Sequence, residues 1–302
     1  MLGDKPILVV GATGTHGGTG AQVARLLRAR NVPVRALVRT RGPRASALEA
    51  EGAEIAVGDL HDRRSLLPAL QGVETAYFTY PVAEGIVQAA ANFASAGRAA
   101  GLRRLVVMSM GAAHPESPSH LGRAQWLAEE LFETSGFSCL HLRIAAFFFE
   151  NLGLLHGADI RGEGVLRNAF ADVPFSWMAG EDGGKLAVAA LLHPDRFGDQ
   201  NALYPTGGDS LSHADIADLL GNRLGRPLRH ETISQQAWES RLLELMPQDA
   251  RLNADMARHI SSLAAAMKKP AVLNGLFEAV TGERPLTLAE TLRAGDIPIP
   301  GF

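Results

Sequence analysis

Cysteine is almost absent. Cys139 stands alone among 302 residues, which excludes intrachain disulfides and cysteine-ligated metal clusters. Its neighbours Phe137, Leu140 and Leu142 mark it as a buried strand thiol rather than a nucleophile. The ten histidines are dispersed and no His-Glu-x-x-His occurs, so no metal site is expected. No Gly-x-Ser-x-Gly elbow prepares a serine nucleophile. Net charge is only −3 and there is no like-charge tail, so nothing pulls the chain toward nucleic acid or an acidic membrane. No apolar run reaches the length of a membrane span, and no repeat or low-complexity linker interrupts the chain. The first ten residues already read as a strand, leaving no room for a signal peptide. A cytoplasmic protein is expected.

What is present is an ordinary globular composition, 46% hydrophobic and 20% charged, long enough to bury a sizeable core. The apolar run Pro6-Ile7-Leu8-Val9-Val10 leads directly into Gly11-Ala12-Thr13-Gly14-Thr15-His16-Gly17, and then into the helix-like Ala21 to Leu27. Strand, spaced glycines and helix in that order make a dinucleotide-binding unit. The first glycine turns the chain off the strand, the second lets backbone approach a pyrophosphate, and the third lets helix and sheet pack closely. The helix N-terminus then offers unpaired N–H groups to the phosphates.

Further strands are predicted at Val34 to Val38, Ala53 to Val57, Thr75 to Thr79, Leu105 to Ser109 and Ser138 to Arg143, alternating with helices near 18–30, 44–51, 62–71, 84–101 and 121–135. That alternation predicts an α/β, doubly wound parallel-sheet Rossmann fold. After Asn151 the rhythm breaks. Residues 157–180, rich in glycine and aromatics, read as a long loop or small subdomain over the site. A helix near 183–193 and a strand at Ala202-Leu203-Tyr204 return to the core, and the rest is mainly helical. The expected division is a nucleotide-binding domain at 1–156, rejoined by 183–208, and a smaller substrate or lid part at 157–182 and 209–302.

No Asp or Glu occurs between Asp4 and Glu49, where a cofactor lacking the 2′-phosphate would want a carboxylate on its ribose. Arg39, Arg41 and Arg44 occupy that region instead. A guanidinium pairs a 2′-phosphate in fork geometry, so NADP(H) is favoured over NAD(H), with Arg39 and Arg44 as contacts. A solvated arginine loop is the alternative. Asp59 and Leu60 follow the third strand, suited to adenine or to capping the next helix, a task Asp62 fits equally. Thr79, Tyr80 and Pro81 end the fourth strand near the nicotinamide ribose, although Tyr80 also suits plain packing.

With these motifs in order, the chain resembles the atypical short-chain dehydrogenase/reductase superfamily, and within it the NmrA-like family. The resemblance rests on the Gly11–Gly17 motif, Val34 to Arg39, Gly58-Asp59-Leu60, Ser109-Met110-Gly111 and Leu142 to Asn151, where Ile144 departs from the family's usual proline. It implies that the Ile144 segment passes beside the nicotinamide. It also implies a Tyr-x-x-x-Lys catalytic pair, which this chain lacks. The lysines are Lys5, Lys185, Lys268 and Lys269, the tyrosines Tyr77, Tyr80 and Tyr204, and none stand four apart. Arg123 falls about where that lysine belongs and could hold ribose hydroxyls. His120 could donate a proton near neutral pH, and Ser109 takes the place of the superfamily's serine, with His114 nearby. A surface histidine and a strand-end hydroxyl fit the same positions.

Glu129, Glu130 and Glu133 are expected on the wet face of the 121–135 helix, with Trp126, Leu127 and Leu131 inward. Phe147-Phe148-Phe149, Trp177 and Met178 are candidates for an apolar pocket, with ordinary core packing the alternative for the phenylalanine run. The expected activity is hydride transfer from NADPH to a small apolar, quinone-like or otherwise conjugated acceptor. The alternative is a non-catalytic NADP(H)-sensing regulator that binds a protein partner.

Overall fold

The computed structural model describes residues 5–14 and 18–294. The first half runs β1 (Ile7–Val10), α1 (Thr19–Ala29), β2 (Val34–Val38), α2 (Pro43–Ala50), β3 (Glu54–Val57), α3 (Arg63–Leu70), β4 (Thr75–Phe78), α4 (Ile86–Ala100), β5 (Arg104–Met110), α5 (His120–Glu133) and β6 (Ser138–Ile144). Then follow β7 (Phe147–Phe148), α6 (Asn151–Glu163), β8 (Val165–Asn168), β9 (Phe175–Met178), α7 (Gly180–Leu192), β10 (Ala202–Leu203) and β11 (Asp209–Leu211). The chain continues through α8 (His213–Leu224), β12 (Arg229–Thr232), α9 (Gln235–Leu245), α10 (Ala254–Ala266), α11 (Leu276–Thr281) and α12 (Leu288–Ala294).

Seven parallel strands form the main sheet in the order β10-β6-β5-β4-β1-β2-β3. Six were expected to lead it; the two-residue β10 adds the seventh edge beside β6. The chain winds one way from β1 through β3 and the other way from β4 through β6. The β1/β4 boundary is therefore the switch point, and its crevice opens at the strands' C-terminal ends.

Strand alternation divides the core. Ile7, Val9, Tyr77, Val106 and Leu142 pack under α1 and α7, joined by Phe277 and Val280 of α11. Leu8, Val10, Phe78, Leu105 and Val107 pack under α3, α4 and α5. On that second face Phe78, Phe93 and Phe132 meet with ring centroids 5.0 to 6.3 Å apart, each buried ring contributing about 2 kcal/mol of transfer free energy.

Residues 157–180 are not a loop. They comprise the second half of α6 and the buried strands β8 and β9. Glycines at 153, 157 and 162 blur the helical period of α6, and its stability comes from burying Leu152, Leu154 and Ile160. β9 pairs with β7 and β11 in a small sheet, and β8 pairs with β12.

The polarity expected for α5 is also corrected. Glu129 is 1% exposed and Leu127 47%. The inward face runs through Leu121, Gln125, Ala128, Glu129 and Phe132, and a guanidinium from β6 makes the buried carboxylate tolerable.

Candidate functional site

At the end of β1 the backbone of Gly11 takes φ +78°, and a Cβ there would stand 2.3 Å from Thr79 Cγ2. The Gly14 N–H donates to Gly11 O at 2.9 Å, closing the turn. Gly20, inside α1, brings helix and turn together: a Cβ on it would lie 2.4 Å from Gly11 O. Sequence reasoning gave close packing to the third glycine of the motif and missed Gly20. Thr15, His16 and Gly17 lie outside the described residues. Among the described residues no side chain caps the α1 N-terminus at Gly18, which leaves its first N–H groups their capacity for an anion.

Along the β2–β3 edge, Arg44 Nη1 donates to Thr13 O at 3.2 Å and steadies the turn. Arg41 pairs with Glu49 at 3.1 Å, whereas Arg39 is exposed and its charge is felt at Tyr80. Asp62, not Asp59, caps α3 by accepting from Arg64 N. Asp59 instead accepts from His61 N at 2.9 Å, and Asn92 Nδ2 donates to Leu60 O. Tyr80 Oη donates to Glu84 O at 3.1 Å and meets His61 Nε2 at 2.9 Å. Partial burial raises its pKa, Asp59's negative charge adds to that, and Arg39 opposes both. Arg39, Asp59 and Tyr80 thus share one electrostatic neighbourhood. Pro81 is exposed at the start of the β4–α4 connection.

A cavity of about 700 Å³ opens at the ends of β4, β5 and β6. Thr79, Tyr80, Ser109, Met110, Gly111, Ile144 and Ala145 line its floor, and α10 covers it with Met256, His259, Ile260 and Leu263. Phe147, Phe148 and Trp177 line it as expected, whereas Phe149 stacks behind on Trp177 and Met178 enters the sheet core.

Ser109 belongs to a network that sequence reasoning did not find. Its hydroxyl donates to Glu129 Oε1. Arg143 donates to Glu129 Oε2 from Nε at 2.9 Å and from Nη2 at 2.5 Å, and from Nη1 to Tyr204 Oη at 2.5 Å. Burial pushes the Glu129 carboxyl up, and the bonds from Arg143 and Ser109 pull it back. The guanidinium fork stabilises the charged form. Because the Ser109 proton is committed inward, its oxygen faces the cavity as an acceptor.

His120 and Arg123 are not brought to the cavity. His120 Nε2 faces Asp255 Oδ1 at 3.7 Å, and Arg123 Nη1 donates to Ser117 O at 2.5 Å. The histidines lining the cavity are His114, His156, His213 and His259. His259 Nδ1 lies 2.5 Å from Oγ of Ser119, the α5 cap. Burial holds its pKa near 4, with His120 adding to the shift, so the ring is neutral at pH 7. Lys269 stands exposed at the rim. Tyr77 is buried against Thr19, its Oη donating to Thr19 Oγ1 at 3.0 Å.

The NmrA-like family profile matches residues 3–276. The chain belongs to the NmrA-like family. The NAD(P)H azoreductase of Xenophilus azovorans is 34% identical over 295 residues, 95% of this NmrA-like chain and 97% of the azoreductase. The NADPH-dependent quinone oxidoreductase of Escherichia coli, solved with NADPH, superposes with a TM-score of 0.79 at 22% identity, covering 96% of this chain and 99% of that one. Triphenylmethane reductase of Citrobacter sp., solved with NADP(H), gives 0.75 at 21% identity over 95% and 99%. These solved structures share the fold of this NmrA-like protein.

Its cradle fits a dinucleotide. Glycines stand where a Cβ would strike backbone, the α1 N-terminus has no side-chain cap among the described residues, and the cavity begins where the switch-point crevice ends. Among the described residues no helix is long and apolar enough to cross a membrane.

Proposed function

We propose that this NmrA-like protein is an NADPH-dependent reductase of small, apolar, conjugated acceptors such as quinones or azo compounds. The observation that carries the reading is the cavity: it joins the strand ends beside the glycine turn to an aromatic wall, in a chain that has no Tyr-x-x-x-Lys acid. Ser109 has its proton tied to Glu129, and His259 is neutral and bonded to Ser119. Such a site suits acceptors that take a proton from water after reduction and disfavours simple ketones, which gain most from a positioned acid. The similarity to an azoreductase and a quinone oxidoreductase supports the same class.

In this reading Gly11, Thr13, Gly14 and the α1 N-terminus hold the pyrophosphate; Thr15, His16 and Gly17, proposed as further contacts, lie outside the described residues. Arg39 holds the 2′-phosphate with Arg44 behind it, Asp59 and Leu60 hold the adenine, and Thr79 and Tyr80 the second ribose. Ser109 accepts from the nicotinamide carboxamide or ribose, and Ile144 packs beside the ring. The bound cofactor supplies reducing equivalents. Residues 157–182 and 209–302 form the substrate part, with α11 returning to the main core.

NADPH oxidation is measured across a panel of quinones, azo dyes and simple ketones, and turnover is expected with the first two. Tight NADPH binding with no turnover on any of them replaces this reading with an NADP(H)-sensing regulator. Arg39→Ala is expected to weaken NADPH by about tenfold and leave NADH unchanged, the loss of one charge-assisted contact. Equal binding of NADPH and NADH to the parent overturns the cofactor preference.

A further inference from the structure

The inner end of the cavity holds two histidines that nothing in the cofactor reading uses. His156 of α6 and His213 of α8 both line it and are both 1% exposed. Aromatic neighbours fix their rings. His156 lies parallel to Trp238 at 6.3 Å, and His213 lies against Phe170 at 5.0 Å with Trp177 edge-on at 5.5 Å. In both, Nδ1 is buried with no hydrogen-bond partner among the described residues. A buried polar atom left unpaired is costly, and such atoms in native proteins call for a specific explanation.

The state of His156 follows from its other nitrogen. A backbone hydrogen bond at Arg167 favours the protonated ring, so a ring N–H donates to that carbonyl. With Nδ1 unpaired, the donor is Nε2. Burial keeps the ring neutral at pH 7, so Nδ1 carries a bare lone pair. The group that satisfies it must bring an O–H or N–H. Phe147, Phe170, Phe175 and Trp177 line the same cavity and give it aromatic walls.

We propose that the inner pocket binds a planar aromatic ring through a hydroxyl or amino substituent donated to His156 Nδ1, with His213 completing the polar end. This rests on the reductase reading for what happens to the ligand but not for its binding: the substrate class becomes phenol- or arylamine-bearing conjugated acceptors, or the hydroxyaryl and aminoaryl products of their reduction. The substituent lies inward, and the reducible bond points outward to Ser109 and Ile144.

The test is equilibrium binding to the full chain without cofactor, followed by quenching of tryptophan fluorescence. The probes are naphthol, naphthylamine, methoxynaphthalene and naphthalene. Naphthol and naphthylamine are expected to bind about tenfold more tightly than the two ligands that lack a donor, because a site built for a donor rejects the analogue without one. His156→Phe is expected to bring the four to within about twofold, with His156→Leu as a second variant and circular dichroism reporting the fold of each. Equal affinities in the parent overturn the proposal, since a water then satisfies Nδ1. A preference that survives in a folded variant also overturns it. Donor preference without NADPH turnover removes only the reductase reading, and turnover without donor preference removes only this site.

Discussion

Acidification from about pH 7.5 to about pH 5 is expected to remove about 5 kcal/mol of folding stability, because the unfolded chain takes up protons that buried histidines refuse. His141, His156 and His259 are each at most 7% exposed, and burial draws all three down to about 4. Glu133 Oε1 lies 3.2 Å from His141 Nε2, yet desolvation outweighs that carboxylate. In the unfolded chain the same rings titrate near about 6.5. The folded value is the lower one, so this stability is complete above the unfolded pKa and is lost as pH falls toward the folded one. At pH 5 each ring costs about 2 kcal/mol. Asp182 acts the other way. Burial raises its carboxyl to about 6 despite the Leu286 N–H, and its earlier protonation in the folded state returns about 1.4 kcal/mol. His213, held well below its usual value, adds to the loss, while Glu129 and Asp209, raised by burial, oppose it.

A loss of about 5 kcal/mol is a large part of the stability of a typical domain. Urea unfolding at pH 7.5, 6 and 5 reads it directly, with free energies extrapolated linearly. Near the middle of that range the slope should correspond to about two to three protons taken up on unfolding. His141→Met, which replaces one buried titrating ring outside the cavity lining, should remove about one of them. A stability constant to within about 1 kcal/mol from pH 7.5 to 5 refutes the reasoning.

Two substitutions test the geometry beside the cofactor edge. Gly20→Ala places a Cβ 2.4 Å from Gly11 O and 2.6 Å from its carbon; the turn must shift, and NADPH affinity should fall at least about tenfold in a titration, with the fold retained. Glu129→Leu leaves Arg143, only 15% exposed, without its carboxylate. It should cost about 3–5 kcal/mol in urea unfolding, much of it recovered in the Glu129→Leu/Arg143→Leu pair, where no charge remains to be compensated.

The Glu129 prediction also marks where the sequence ceases to be readable. The strand, glycine turn and helix were legible because their determinants are local. Strand, glycine turn and helix follow one another from Ile7 to Ala29, and the Ser212/Asp215 capping box acts over three residues. The acceptor side is assembled from afar. Ser119 meets His259 across 140 residues, Arg143 meets Tyr204 across 61, and His156 meets His213 ring to ring from different helices. None of these pairs has a spacing that a periodicity could reveal. Glu129 was misplaced for the same reason: on a helical wheel it belongs with Glu130 and Glu133, and only Arg143, on a neighbouring strand, makes its burial affordable. The absence of a Tyr/Lys pair could be counted residue by residue, but what stands in its place could not. Ser109 meets its carboxylate twenty residues along the chain, and that carboxylate is pinned by a guanidinium fourteen residues further on, so the chemistry open to this site follows from its long-range partners more than from the motif that announces it.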